Sequence, residues 1–205
     1  MFMDEARSPV FQRTLALLNY LFLLAMLVVI AAILTTAMTL QYAYGEVPCP
    51  LCLLQRVALL GICFGIMQNL RGPFSYQNTG FSLVFALILL VVAARQTLLD
   101  IYPRPGHEYV GTAVLGLHMP VWSVVIALLI LLAYALKLAV IGGDQHLRDH
   151  AARSFPLIWR AAEVVGIYVI AVAAVNLVSA LLQCGFGQCH TFGYDLLGSG
   201  AAPAT

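Results

Sequence analysis

Five long apolar runs, separated by short polar or Gly/Pro-rich stretches, set the pattern of this chain. They extend from about Leu15 to Leu40, Leu53 to Leu70, Phe81 to Leu99, Val121 to Ile141 and Ala161 to Leu182. A helix of roughly 20 apolar residues crosses the hydrocarbon layer of a bilayer, and each run reaches or approaches that length. The breaks at Tyr44 to Pro50, Arg71 to Thr79, Tyr102 to His118 and Gly142 to Pro156 are short enough to join neighbouring antiparallel spans. The pattern therefore predicts an all-α fold, a polytopic transmembrane helix bundle of five spans, with no internal repeat. The second run is the least regular, because Gln55 and Arg56 interrupt it near one end. The first is too long for the apolar core of a signal peptide and continues uncharged through Tyr44, so it reads as a retained span with no soluble domain before it.

Composition agrees. Of 205 residues, 62% are hydrophobic and 9% charged, and the mean hydropathy is +0.94. A soluble domain of this size needs far more charge to cover its surface. The formal net charge of +1, with no basic cluster, argues against a nucleic-acid partner.

Lys and Arg positions orient the bundle, since cytoplasmic loops carry the excess of positive charge. With the amino terminus in the cytoplasm, that side holds Arg7, Arg13, Arg71, Arg148, Arg153 and Arg160, with Lys137 near it. The other side holds Arg104 alone in its loops, with Arg56 and Arg95 near helix ends. Five spans then leave the carboxyl terminus outside. Cys49 and Cys52, between spans one and two, and Cys184 and Cys189, after span five, fall on that same outer side, where disulfides persist.

Cys49-Pro50-Leu51-Cys52 is a C-x-x-C motif at the mouth of span two. The spacing suits a small exchangeable disulfide, and a helix amino terminus favours thiolate over thiol. The alternative is half of a zinc site, with His107, His190 or the other cysteines as further ligands. The membrane setting favours redox chemistry. Arg56 lies four residues after Cys52, on the same helical face one turn deeper. A charge within a span is costly and marks function. Here it suits a hydrogen bond to a quinone carbonyl and stabilisation of charge on a reduced ring or on the Cys52 thiolate. The bland alternative is an arginine snorkelling to the interface.

Cys184 and Cys189 enclose four residues, two of them glycine, a loop flexible enough to close into a ring. It reads either as a static clasp or as a shuttle carrying oxidising equivalents outward, and the shuttle is favoured because a soluble partner reaches a mobile tail more easily than a disulfide at the membrane surface. Cys63, deep in span two, reads as a packing residue. His107, Glu108 and His118 show no ligand spacing, Arg95 fits snorkelling, and Tyr42, Tyr44, Tyr102, Trp122 and Trp159 fit an interfacial belt.

These residues resemble a known family. Pro48-Cys49-Pro50-Leu51-Cys52-Leu53-Leu54-Gln55-Arg56 is similar to the signature of the DsbB disulfide-bond-formation proteins, including its quinone-associated arginine. Tyr102-Pro103-Arg104-Pro105 resembles the start of that family's second outer loop, and Leu115-Gly116-Leu117-His118-Met119-Pro120-Val121-Trp122 the entry to its last span. The resemblance implies a DsbB-like four-helix membrane core over residues 1–141, followed at 142–205 by a cytoplasmic loop, an added fifth span and a periplasmic cysteine-bearing tail. The chain departs from the family at Asp100 to His118, which holds no cysteine where the family has its second redox pair. Cys184 and Cys189 are expected to substitute for it.

The resemblance implies a membrane thiol–disulfide oxidoreductase of the bacterial inner membrane. It would reoxidise a periplasmic, DsbA-like thioredoxin-fold protein and pass the electrons to a quinone, ubiquinone or menaquinone. The expected catalytic residues are Cys49, Cys52, Cys184 and Cys189, with Arg56 at the quinone and no metal. Two rivals rank lower. A conduit delivering reductant outward needs cysteines reachable from both faces, and only Cys63 lies deep. A non-enzymatic scaffold or metal-handling protein would use Cys and His ligands.

Overall fold

The computed structural model describes residues 9–102, 116–141 and 151–185. Arg7, Arg104, His107, Glu108, Arg148, Cys189 and His190 lie outside them. The described residues form five long helices: α1 (Pro9–Ala43), α2 (Pro50–Arg71), α3 (Tyr76–Ile101), α4 (Met119–Ile141) and α5 (Pro156–Cys184), with a single 3-10 turn (Ala152–Ser154) before α5. All five are long and apolar enough to cross a membrane, which bears out the expected all-α bundle. The helices outrun the apolar runs at their ends. Span two starts at Pro50 rather than Leu53, because proline at the first helical position loses no hydrogen bond and Cys49 caps the turn.

Each helix buries one stripe and turns the rest outward. On α1 the stripe is Ala16, Tyr20, Leu23, Leu27, Ile30, Leu34, Met38 and Gln41, recurring every three or four residues, while Leu18, Leu21, Val28 and Val29 face out. Exposed leucines and valines on every helix suit contact with lipid chains rather than water. The packing order places α2 centrally. It packs most extensively on α3, and also on α1 and α5; α4 packs on α3 and barely touches α1.

The α2–α3 contact depends on two glycines one turn apart, Gly61 and Gly65, which let the helix backbones approach. A Cβ at Gly65 would meet the backbone carbonyl oxygen of Asn78 at 2.5 Å. In the space left, Ser82 Oγ donates across the interface to the Ile62 carbonyl at 3.1 Å. The tight turn below is held by Asn69. Its Oδ1 accepts from Ser75 N at 3.0 Å and Asn78 Nδ2 at 3.1 Å, and its Nδ2 donates to Thr79 Oγ1 at 3.0 Å. At this same end of the bundle Lys137 is buried, with Nζ 4.8 Å from the centre of the Phe74 ring.

Candidate functional site

The opposite end of the bundle gathers the cysteines, because α2 begins there and α5 finishes there. Cys49 and Cys52 form a disulfide, with Cα atoms 5.1 Å apart. Cys49 is the N-cap of α2, and its sulfur accepts from the Cys52 backbone N–H at 3.1 Å. That N–H is one of the amino-terminal donors a helix leaves without an intrahelical partner, and it favours negative charge on the sulfur. Cys49 is buried and Cys52 half-buried. At the carboxyl end of α5, Cys184 is disulfide-bonded. Cys63 is a free thiol, fully buried two turns below Arg56, in keeping with packing.

A chain of one hydroxyl and two amides, drawn from three helices, leads to the α2 disulfide. Ser123 Oγ on α4 donates to Gln55 Oε1 on α2 at 2.8 Å, and Gln55 Nε2 donates to Gln96 Oε1 on α3 at 2.8 Å. Because the Gln96 oxygen is thus engaged, its Nε2 turns to the sulfurs, 3.3 Å from Cys49 Sγ and 3.5 Å from Cys52 Sγ. An amide N–H is a weak donor to a disulfide and a strong one to a thiolate, so the chain is set for the reduced state. Gln96 is a residue the sequence reading missed. The available signal was a glutamine in an apolar run, next to the more conspicuous Arg95, which the structure leaves exposed.

Arg56 does not snorkel. It is 8% exposed and bound on two sides. From α1, Gln41 Oε1 accepts from its Nη1 at 2.6 Å and the Ala37 carbonyl from Nη2 at 3.0 Å. From α5, Asn176 Oδ1 accepts from Nη1 at 3.3 Å. Burial of a guanidinium is tolerable only with such acceptors in place.

Cys52, Gln55 and Arg56 share the wall of a cleft of about 490 Å³ between α1, α2 and α4. Most of its remaining lining is apolar, with Val29, Ile33 and Leu40 from α1, Leu59 from α2 and Ile126 from α4, beside the polar Thr36, Gln41 and Ser123. Trp122, expected in an interfacial belt, lines it too. Glu46 and Val47, from the segment between α1 and α2, line it as well. A pocket of this size, mostly greasy with a few convergent polar groups, suits a flat apolar molecule bearing hydrogen-bond acceptors. A second groove, of about 510 Å³, runs between α1 and α5 beside Thr35, Thr36, Thr39 and Tyr168. It holds neither sulfur nor formal charge. Among the described residues no cluster of three or more His, Cys, Asp or Glu is placed to hold a metal.

Comparison with known proteins agrees with the resemblance read from the sequence. Residues 19–108 match the family described as disulfide bond formation protein DsbB. A disulfide bond formation protein B from Azoarcus sp. (strain BH72) is 36% identical over 100 residues, which cover 42% of this chain and 58% of that protein. One from Chromohalobacter salexigens is 32% identical over 110 residues, covering 48% and 61%. One from Aromatoleum aromaticum is 34% identical over 84 residues, covering 39% and 51%. The chain thus spans between half and three-fifths of the length of these relatives. No solved structure matches it. The family match takes in Cys49, Cys52, Arg56 and Gln96 and stops before α4 and α5.

Proposed function

We propose, from a chain whose residues 19–108 carry the DsbB family's pattern, that this protein oxidises dithiols to disulfides and reduces a membrane quinone. The observation that carries the reading is that one cleft brings together the Cys52 sulfur, the Arg56 guanidinium and apolar walls open to a lipid-soluble ring. Neither a metal-handling scaffold nor a reductant conduit accounts for that combination.

The overall reaction moves two electrons and two protons: dithiol plus quinone gives disulfide plus hydroquinone. A thiolate attacks Cys49 Sγ, the S–S bond breaks, and Cys52 leaves as the thiolate. Attack at Cys49 is favoured because it leaves the negative charge on the sulfur that lines the cleft. Gln96 Nε2, 3.5 Å from Cys52 Sγ, stabilises the charge developing there. The donor's second thiolate then attacks the donor sulfur of the mixed disulfide, Cys49 leaves as the thiolate, and the oxidised donor departs from the reduced Cys49–Cys52 pair. Quinone, when bound, accepts the two electrons, and Arg56 is placed to donate a hydrogen bond to a ring oxygen as charge gathers there.

In the full cycle Cys184 and Cys189 act as the outer pair. A reduced, DsbA-like thioredoxin-fold protein attacks their disulfide, and the thiolate released attacks Cys49. This assigns the amino terminus to the cytoplasm of a bacterial inner membrane, and both pairs and the carboxyl terminus to the periplasm. Residues 1–141 then act as the core and 142–205 as the segment that carries the outer pair. The quinone is ubiquinone or menaquinone.

The test is anaerobic mixing of the purified full chain with dithiothreitol and decylubiquinone, followed by the loss of quinone absorbance. The wild-type chain is expected to turn over, and Cys49→Ser and Cys52→Ser each to abolish it. Wild-type turnover by either variant would refute the mechanism.

A further inference from the structure

We infer that the fifth span is a working part of the redox site, with Asn176 as a positioning residue for Arg56. The inference rests on the quinone chemistry proposed above and goes beyond it, since the family match ends far short of α5.

The buried face of α5 changes character along its length. From its start it presents Ile158, Ala162, Gly166 and Val169, as an anchoring helix would. Toward the cysteine end the same stripe turns polar, with Asn176, Ser179 and Gln183 spaced three and four apart. Each of the three reaches a different part of the site's surroundings. Asn176 meets Arg56, and Ser179 hydrogen-bonds the Tyr42 hydroxyl. Gln183 Nε2 donates to the Pro48 carbonyl at 2.6 Å, one residue before Cys49.

The Asn176 amide is itself oriented. Its Nδ2 donates to the Val172 carbonyl one turn back at 3.0 Å, which directs Oδ1 to Arg56 Nη1. The acceptors Gln41 and Ala37 both belong to α1. Asn176 gives the guanidinium a hold from α5 as well. With Asn176 it is held between two helices, at a fixed place on the cleft wall. The bland alternative is that Asn176 only glues α5 to the bundle, a common use of polar residues between spans. A double-mutant cycle separates the two, because glue acts on Asn176 variants whether or not Arg56 is present.

The experiment measures the dissociation constant of decylubiquinone from the full-length chain in detergent, by quenching of tryptophan fluorescence, Trp122 being in the cleft. Binding is read without turnover, so tail and donor do not enter. Asn176→Ala is expected to weaken binding about tenfold, the scale of one hydrogen bond to a charged group. Arg56→Ala weakens it at least as much, and the double variant is no weaker than Arg56→Ala within about twofold. If Asn176→Ala folds poorly, Asn176→Leu matches the volume without the oxygen and carries the same expectation. Losses that multiply, or an Asn176 variant binding as tightly as wild type, overturn the positioning role while leaving the quinone reading intact. A wild-type chain that binds no decylubiquinone overturns both.

Discussion

At Gln96 a single amide faces two sulfurs, and its direction is set by residues on two other helices. Ser123 fixes Gln55, Gln55 occupies the Gln96 oxygen, and only the nitrogen is left for Cys49 and Cys52. A donor that strengthens as a disulfide becomes thiolate stabilises the reduced form and makes the couple more oxidising. Gln96→Leu should therefore shift the Cys49–Cys52 potential by about 30–60 mV to more negative values, the equivalent of one hydrogen bond to a charged group. Equilibration against dithiothreitol buffers, read by thiol alkylation, measures it. An unchanged potential would show that the amide only packs. Arg56 teaches a related lesson. Its charge was conspicuous in the sequence, and its place on the same helical face as Cys52 was readable from their spacing. Its acceptors were not, because Gln41, Ala37 and Asn176 lie 15, 19 and 120 residues away.

Among the helices, α2 has the most neighbours to satisfy, with α1, α3 and α5 all packed against it. Its amino end carries the chemistry, and its carboxyl half carries the glycines that admit α3. The two roles are linked, since α3 brings Gln96 to the sulfurs only if it lies close along its length. Gly65→Ala places a methyl against a backbone oxygen that cannot turn aside, and should cost about 1–3 kcal/mol of stability by overpacking. Gly80→Ala on α3 meets nothing within 4 Å and should be neutral or stabilising by about 0.5–1 kcal/mol, as alanine favours helix over glycine. Thermal unfolding of the two variants in the same detergent compares them. Equal midpoints would remove the case for close α2–α3 approach.

For the whole molecule, the issue is which groups share an end of the bundle. The start of α2 and the finish of α5 do, and Gln183 ties them by bonding Pro48. This places the α2 disulfide and the helix that bears Cys184 side by side at one face. If Cys184 and Cys189 form a shuttle, Cys184→Ser and Cys189→Ser should each reduce turnover with a reduced thioredoxin-fold donor at least tenfold, yet leave turnover with dithiothreitol within about twofold. A clasp would leave both activities in place. In spheroplasts, after reduction, a membrane-impermeant maleimide added from outside should label these cysteines. In inverted vesicles it should not.

Helix number and helix length, among the described residues, were legible in the sequence, because lipid imposes a nearly one-dimensional rule. A span must be apolar for about 20 residues, and loop charges follow from which side each loop occupies. The C-x-x-C and its arginine were legible for a similar reason, since cap, sulfurs and guanidinium all lie within eight consecutive residues of one helix, Cys49 to Arg56. What only the tertiary structure decided is what faces them. Apolar periodicity barely distinguishes a lipid-facing side from a packed one, so it could not say that Gln96, Trp122 and Asn176 turn inward. Hydrogen bonds between spans join residues far apart in the chain, and their geometry exists only once the helices have packed.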